Sequence, residues 1–367
     1  MPDSTGNQLR VIIAGGGTGG HLYPAISIAD LLRRDGVIVR YIGSKFGIEA
    51  KNITALGESP LLLPITGIQR DLSFKSLVKN FLFPFRFIFS YFKSRSFIKN
   101  FNPQIVIGTG GYSSGIPLLN ALKLKINTLI QEQNSYPGIT TRNLAGKVNT
   151  VCIAFDESSS YLSGNLIKTG NPVRDNLIIM SKEESRKQLG LEDDRSTIFI
   201  LGGSQGSRPF NTHFKEYYKQ YISKGFQLLW QYGYWDENML ESVKNEDHVH
   251  LFPFIENMST AYGAADLVIS RAGAITLAEI TKCHKAAILI PFPHAAGNHQ
   301  EVNARSLESK GASILVHQSE LKTGKLENTV FDLFENIEKI TQLEIASADI
   351  AIPEATKNII KEIYKLV

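Results

Sequence analysis

Residues 9–21 read LRVIIAGGGTGGH. The run Leu9–Ala14 is apolar and rich in β-branched side chains, the pattern of a strand covered on both faces. A cluster of glycines follows, and then a helical stretch from about Pro24 to Arg34. A buried strand, a glycine turn and a helix are the repeating unit of a parallel α/β sheet. The unit recurs. Strands are expected at Val37–Ile42, Ile105–Ile107, Thr128–Gln131 and Val151–Ala154. The series restarts with Thr197–Leu201 and a second glycine turn, Gly202–Gly206 (GGSQG), and continues at Gln227–Trp230, His248–Leu251, Leu267–Ser270 and Ala287–Ile290. The fold class is therefore α/β, with two Rossmann-like parallel-sheet halves.

A chain of 367 residues suits two domains, each able to bury a core. Pro172, in NPVR (Asn171–Arg174), punctuates the sequence between the halves, so residues 1–172 and 173–351 are the expected domains. Ala355–Leu366 reads as an amphipathic helix, and the segment from about 352 to 367 is expected to pack back on the first domain. Two cysteines far apart, Cys152 and Cys283, exclude a disulfide framework and a zinc site and fit a reducing cytoplasm. The polar start MPDSTGNQLR has no apolar core of a signal peptide, and no stretch of about 20 apolar residues suggests a spanning helix.

The net charge of +4 hides an asymmetry. Residues 1–172 hold 18 Lys and Arg against 9 Asp and Glu, a balance of +9, while the remainder holds 21 against 26, a balance of −5. An anionic partner is expected for the first half. From Leu72 to Gln131 there is no acid at all, while Lys75, Lys79, Arg86, Lys93, Arg95 and Lys99 alternate with Phe81, Phe83, Phe85, Phe87, Phe89, Tyr91 and Phe92. Arg86, Ser90, Lys93 and Phe97 fall at helical spacing, which predicts a largely apolar helix with one polar stripe, starting at Pro84. This basic aromatic stretch suits attachment to an anionic membrane surface. No recognition motif accompanies the charge, so nucleic acid is not expected as a partner.

Gly15, Gly17 and Gly20 match the GxGxxG dinucleotide fingerprint. That reading also wants an acid at the end of the second strand to hold a ribose. VIVRYIGSK has none there, which counts against a dinucleotide. The turn remains suited to close approach of a ligand, with Thr18 as a hydroxyl donor and His21 as a candidate base. GGSQG offers Ser204 and Gln205 beside exposed amides. RAGAITLAE (271–279) places small residues at a helix start and Glu279 inside that helix, where a carboxylate suits a ribose. PFPHAAGNHQEVNA (291–304) supplies Asn298, His299, Gln300 and Asn303, suited to sugar hydroxyls. GGYSSGIP (110–117) and EQNSYPG (132–138) are polar loops at strand ends. Glu192–Asp194 (EDD) precedes a strand on the wrong edge of the sheet for a metal–diphosphate motif, and no metal or cofactor is expected.

Taken in order, GGGTGGHLYPA, GGYSSGIP, EQN, NPVR, GGSQG, SRAGAITLAEI and PFPHAAGNHQEVNA resemble the UDP-GlcNAc transferases of peptidoglycan synthesis in glycosyltransferase family 28, over about residues 11–305. The resemblance implies a GT-B fold, with two domains facing across a cleft. It implies inverting transfer of GlcNAc from UDP-GlcNAc to the C4 hydroxyl of MurNAc in undecaprenyl-pyrophosphoryl-MurNAc-pentapeptide (lipid I), giving lipid II for cell-wall growth, shape and division. It further implies a peripheral place on the cytoplasmic face of the bacterial inner membrane, near other cell-wall synthesis proteins. By the same resemblance the second domain takes the donor. Ser204 contacts the diphosphate with Arg174 nearby, and the Ile255 backbone reads uracil. Glu279 holds the ribose, and Ala274 and Gln300 the GlcNAc, with Ile275, Thr276, Leu277 and Ala278 along the same helix. Thr18, Gly19, Gly20 and Asn134 reach the donor from the first domain. Gly17, His21 and Tyr112 meet the acceptor, and His21 and Glu132 are the catalytic candidates. Alternatives are another glycolipid transferase, a UDP-GlcNAc 2-epimerase, a non-catalytic nucleotide-sugar binder and, last, an NAD oxidoreductase.

Overall fold

The computed structural model describes residues 8–67, 74–174, 177–234 and 237–367, with side chains from Asn80 onward in the helix that begins at Phe74. The readings that rest on the first seven residues and on the Lys75 and Lys79 side chains lie outside the described residues. The chain divides into two compact units, one running to Arg174 and including Glu354–Val367, the other Asp175–Pro353.

The first unit is a sheet of seven parallel strands: β1 (Arg10–Ala14), β2 (Ile38–Ser44), β3 (Leu61–Leu63), β4 (Ile105–Gly108), β5 (Asn127–Glu132), β6 (Thr150–Ile153) and β7 (Leu166–Lys168), in the order 3-2-1-4-5-6-7. Alternate residues feed two cores. Val11, Ile13, Val39 and Ile105 pack beneath α1 (Gly19–Arg34), together with Ile359, Ile360 and Ile363 of the C-terminal helix Ala355–Tyr364. Ile12, Ala14, Ile42 and Val106 face the other way, toward α2 (Phe74–Phe101) and α3 (Tyr112–Lys123). Both faces are covered, as a parallel sheet requires. A short helix, α4 (Ile139–Leu144), follows β5.

Two helix starts differ from expectation. The carbonyl of Thr18 receives the Leu22 N–H at 3.1 Å, so α1 starts at Gly19, straight out of the glycine turn, and Pro24 lies in its second turn. Helix α2 begins at Phe74, and Pro84 sits inside it. The polar stripe on α2 is also reversed. Ser90 and Ser94 are fully buried. The neighbouring helix α3 packs closely on α2, and its Asn120 side-chain N–H donates to the Tyr91 carbonyl at 2.9 Å. The exposed face is aromatic instead: Phe81 (74% exposed), Phe85, Ile88, Phe89 and Phe92 (64%), with Lys93 at its margin.

The second unit opens with α5 (Lys182–Leu189) and holds six parallel strands: β8 (Ser196–Leu201), β9 (Phe226–Gln231), β10 (Val249–Phe252), β11 (Leu267–Ser270), β12 (Ala287–Leu289) and β13 (Ile314–Leu315), in the order 10-9-8-11-12-13. Helices α6 (Arg208–Ser223), α7 (Met258–Ala264), α8 (Ala274–Lys282), α9 (His299–Glu308), α10 (Lys325–Glu335) and α11 (Ile337–Asp349) complete it. Trp230, Phe210, Phe214 and Tyr221 fill its core. In each sheet the strand order reverses once, between β1 and β4 and between β8 and β11, and ligands of such sheets bind at the strand ends there. The first reversal carries the turn after β1 and the loop after β4. The second carries GGSQG and the turn before α8.

Candidate active site

At the first reversal the glycine turn is clamped from below. The Tyr41 hydroxyl donates to the Gly15 carbonyl at 2.7 Å, and burial, then the nearby Glu49 charge, raises that phenol well above the ordinary range. Glu49 lies in a single 3-10 turn (Ile48–Ala50) just past β2 and is fully buried. One carboxylate oxygen accepts the Gly17 N–H at 2.8 Å, and the other accepts the Ser44 N–H at 2.8 Å. A side chain at Gly16 or Gly47 would meet that carboxylate at 2.3 Å or 2.1 Å, and one at Gly43 its stem at 2.9 Å. The sequence does hold an acid near the end of β2, five residues beyond Ser44, but it faces the turn's own backbone.

His21 is the third residue of α1. Its Nδ1 lies 3.2 Å from the Gly16 carbonyl and 3.2 Å from Thr18 Oγ1. A carbonyl only accepts, so this contact goes with the tautomer that carries the proton on Nδ1 and the lone pair on Nε2. The ring lies on the Gly110–Gly111 backbone: a Cβ at Gly110, whose φ is +98°, would stand 2.6 Å from His21 Cδ2. The Thr109 hydroxyl donates to the His21 carbonyl at 2.9 Å. The loop after β4 is thus the floor under the imidazole. Tyr112, first in α3, is 40% exposed, and its ring covers Gly67. Gly17, Thr18 and Gly20 are exposed, and Gly19 half-buried.

Glu132, the other catalytic candidate, is buried and committed to its own loop. Its oxygens accept the Asn134 N–H and the Gly138 N–H, each at 3.1 Å. Gln133 donates to the Thr109 carbonyl at 2.9 Å, and Asn171 to the Gln133 carbonyl at 3.0 Å, so EQN, NPVR and the loop after β4 form one network. Arg174 belongs to this unit, and its guanidinium lies 5.1 Å from the centre of the Tyr23 ring.

At the second reversal the buried group is a cation. The Arg271 guanidinium donates to the Ile290 and Pro291 carbonyls at 3.1 Å each, to Ser207 Oγ at 2.9 Å and to Gln318 at 2.6 Å. It also lies over the Phe210 ring, and burial lowers its pKa to about 10, still charged at neutral pH. Ser204 and Gln205 stand exposed at the tip of GGSQG. Gln231 ties that turn to the next, donating to the Gly203 carbonyl at 3.1 Å while accepting the Ile255 N–H at 2.8 Å. Of the Ile255 backbone the N–H is therefore engaged. Glu279 receives the hydroxyl of the fully buried Tyr262 at 3.1 Å. Ala274, Ile275, Thr276 and Ala278 form the first turns of α8, and Leu277 turns into the core. Gln300 accepts the Phe292 N–H at 2.9 Å, which leaves its amide N–H bonds as donors. Asn303 is fully buried and donates to the Ala272 carbonyl at 3.2 Å, so it props the turn before α8. Glu192 is engaged by Arg195 at 2.9 Å and His248 at 3.1 Å.

The motifs pointed to His21, Glu132, Glu279 and Gln300, but missed Glu49, Tyr41, Gly110 as a contact of His21, Gln231 and Tyr262. One signal for Glu49 was available: it is the only acid between Gly36 and Gly57, with glycines two and six residues before it.

Residues 11–153 match the glycosyltransferase family 28 N-terminal domain, and residues 197–363 the family's C-terminal domain. A UDP-N-acetylglucosamine--N-acetylmuramyl-(pentapeptide) pyrophosphoryl-undecaprenol N-acetylglucosamine transferase of Christiangramia forsetii is 38% identical, over 98% of each chain. The enzyme of that name from Bacillus pumilus is also 38% identical, over 97% of this chain and 99% of its own. The crystal structure of Acinetobacter baumannii MurG superposes with a TM-score of 0.77 at 27% identity, over 97% of this chain and 99% of that one. With two parallel α/β units, a turn at each strand reversal and relatives matched end to end, the chain belongs to glycosyltransferase family 28.

Proposed function

We propose that the chain transfers GlcNAc from UDP-GlcNAc to the C4 hydroxyl of MurNAc in undecaprenyl-pyrophosphoryl-MurNAc-pentapeptide, inverting the anomeric centre to give lipid II. The observation that carries this reading is the contrast between the two turns. In the first, a buried carboxylate already occupies a turn N–H and disfavours a second anion. In the second, a buried guanidinium stands behind the loop and favours one. The diphosphate therefore goes to Gly202–Gly206 with Ser204, and the first turn serves to present His21. The names of the full-length relatives supply the substrates.

In this mechanism His21 Nε2 takes the proton of the acceptor hydroxyl as its oxygen attacks the anomeric carbon. The bond to UDP breaks on the opposite face. The leaving diphosphate is stabilised by the amides of GGSQG and of the α8 N-terminus, with Arg174 as a further cation. The Ile255 carbonyl reads uracil, Glu279 accepts from the ribose hydroxyls, and Ala274–Ala278 with Gln300 border the sugar. Gly17 and Tyr112 flank the acceptor. Glu132, with both oxygens held by main-chain N–H groups, shapes the loop that carries Asn134. Thr18, Gly19 and Gly20 shape the rim around His21.

The lipid tail of the acceptor gives α2 a role. Among the described residues no helix is long and apolar enough to cross a membrane. The outward face of Phe81, Phe85, Ile88, Phe89 and Phe92 instead suits insertion into the interfacial layer, with Lys93 beside anionic headgroups. This supports peripheral attachment at the cytoplasmic leaflet, near other cell-wall enzymes.

The test is transfer of labelled GlcNAc from UDP-GlcNAc to a lipid I analogue by the purified protein. Labelled lipid II is expected. Its absence from folded protein, under conditions where a named relative is active, overturns the reading, and turnover of UDP-GlcNAc without acceptor favours an epimerase instead.

A further inference from the structure

We propose that Glu49 is a positioning residue that fixes the protonation geometry of His21 through a single peptide group; the proposal rests on His21 being the base. The N–H of Gly17 and the C=O of Gly16 belong to the same peptide. Its N–H donates to Glu49 Oε2 at 2.8 Å, and its carbonyl accepts from His21 Nδ1 at 3.2 Å. A buried carboxylate, one peptide and an imidazole are thus joined in a line. The negative end pulls on the N–H, which raises electron density on the carbonyl oxygen and strengthens its hold on the Nδ1 proton. The proton is kept on Nδ1 and the lone pair on Nε2, the arrangement a base needs. A carboxylate–histidine pair performs the same task elsewhere by direct contact, and here a peptide stands between the two.

Three features support a dedicated role. Glu49 is fully buried, and both its oxygens accept main-chain N–H groups, with no ion pair to a cation among the described residues, so its charge is directed into the backbone. Gly16, Gly43 and Gly47 each leave out the side chain that would collide with it, so the local backbone is shaped around this carboxylate. The peptide is restrained from its other side too: Gly111 packs so closely on the Gly16 carbonyl that a Cβ there would lie 2.4 Å from the oxygen. With Tyr41 holding Gly15, the carbonyl that faces His21 has little freedom to turn away.

The test is Glu49→Gln, which keeps the shape but removes the charge and sets an amide N–H against one of the two N–H donors. The expected result is a fall in kcat on the order of 10- to 100-fold with the KM for UDP-GlcNAc unchanged. The same substitution is made in a His21→Ala background. If Glu49 acts through His21, its cost there falls below about 3-fold, whereas a mere folding defect lowers both backgrounds by one factor. Equal costs in the two backgrounds overturn the proposal. A second readout is the ¹⁵N resonances of the His21 ring, assigned by their loss in His21→Ala. The wild type should show a protonated Nδ1 and an unprotonated Nε2, and Glu49→Gln a mixture of tautomers; an unchanged spectrum overturns the relay. Should His21→Ala retain full activity, the base assignment in the proposed function fails, while the ring resonances still decide whether Glu49 governs the tautomer.

Discussion

Arg271 donates to Ser207 Oγ at 2.9 Å and so ties the turn after β11 to the residue that follows GGSQG. Its other donors reach the first carbonyls of the 290–300 loop and the Gln318 side chain. Three segments that the proposed donor site needs are held by one buried cation. Arg271→Met leaves several buried acceptors unpaired and is expected to cost about 3 kcal/mol of stability. Chemical denaturation reads that loss, and calorimetry with UDP should show weakened binding in the fraction that stays folded.

Gly110→Ala tests the floor beneath the imidazole. The added methyl would stand 2.6 Å from His21 Cδ2, on a backbone with φ +98°. His21 must tilt away, and a displacement of about 1 Å at a reacting group costs on the order of 100-fold. Steady-state kinetics should show kcat down and the donor KM little changed.

Tyr262→Phe removes the hydroxyl that donates to Glu279 at 3.1 Å. The core keeps its ring, so stability changes little, but the carboxylate loses its orientation. UDP binding should weaken by about 1 kcal/mol, roughly fivefold in Kd, with the effect absent for a nucleotide lacking the ribose hydroxyls.

Phe85→Ser with Phe89→Ser should abolish sedimentation with vesicles containing anionic lipid. Both rings are already exposed to water, so the melting temperature and UDP binding should be unchanged. Retained vesicle binding would remove the role given to α2.

Burial pushes both the Cys152 and Cys283 thiols up to about 12. The thiolate is the reactive form, so neither should react with a thiol reagent at pH 8 until the fold opens. The unfolded chain ionises its thiols near pH 8.5 and the folded one does not, so this contribution to stability is whole below that pH and declines as pH rises above it. Labelling rates and melts across pH 7–10 check both statements.

Much of this was legible in the sequence because parallel strands are continuous apolar runs, and LRVIIA and TIFIL announce themselves. The strands that went unread, β3, β7 and β13, are two or three residues long at or near sheet edges, too short for any period. The α2 surface misled for a physical reason. Helical spacing of Ser90 and Lys93 looks like a solvated stripe, yet Ser90 and Ser94 are buried, and Phe81, Phe85, Phe89 and Phe92 lie on the exposed side. Motifs exposed the polar residues of the site but not their supports. Glu49 acts on Gly17 across 32 positions, and Tyr262 on Glu279 across 17; the glycines around Glu49 mark it as enclosed, but no local pattern names the partner at such distances.

The helix Ala355–Tyr364 lies in the same core as Val11 and Ile13. During synthesis, then, the stretch Asp175–Pro353 can finish folding while the first unit still waits for Ile359, Ile360 and Ile363 to emerge from the ribosome. The half of the chain made earliest is completed last. Until that closing helix arrives, α1 alone covers its face of the sheet behind His21, and a nascent chain offers no finished first unit.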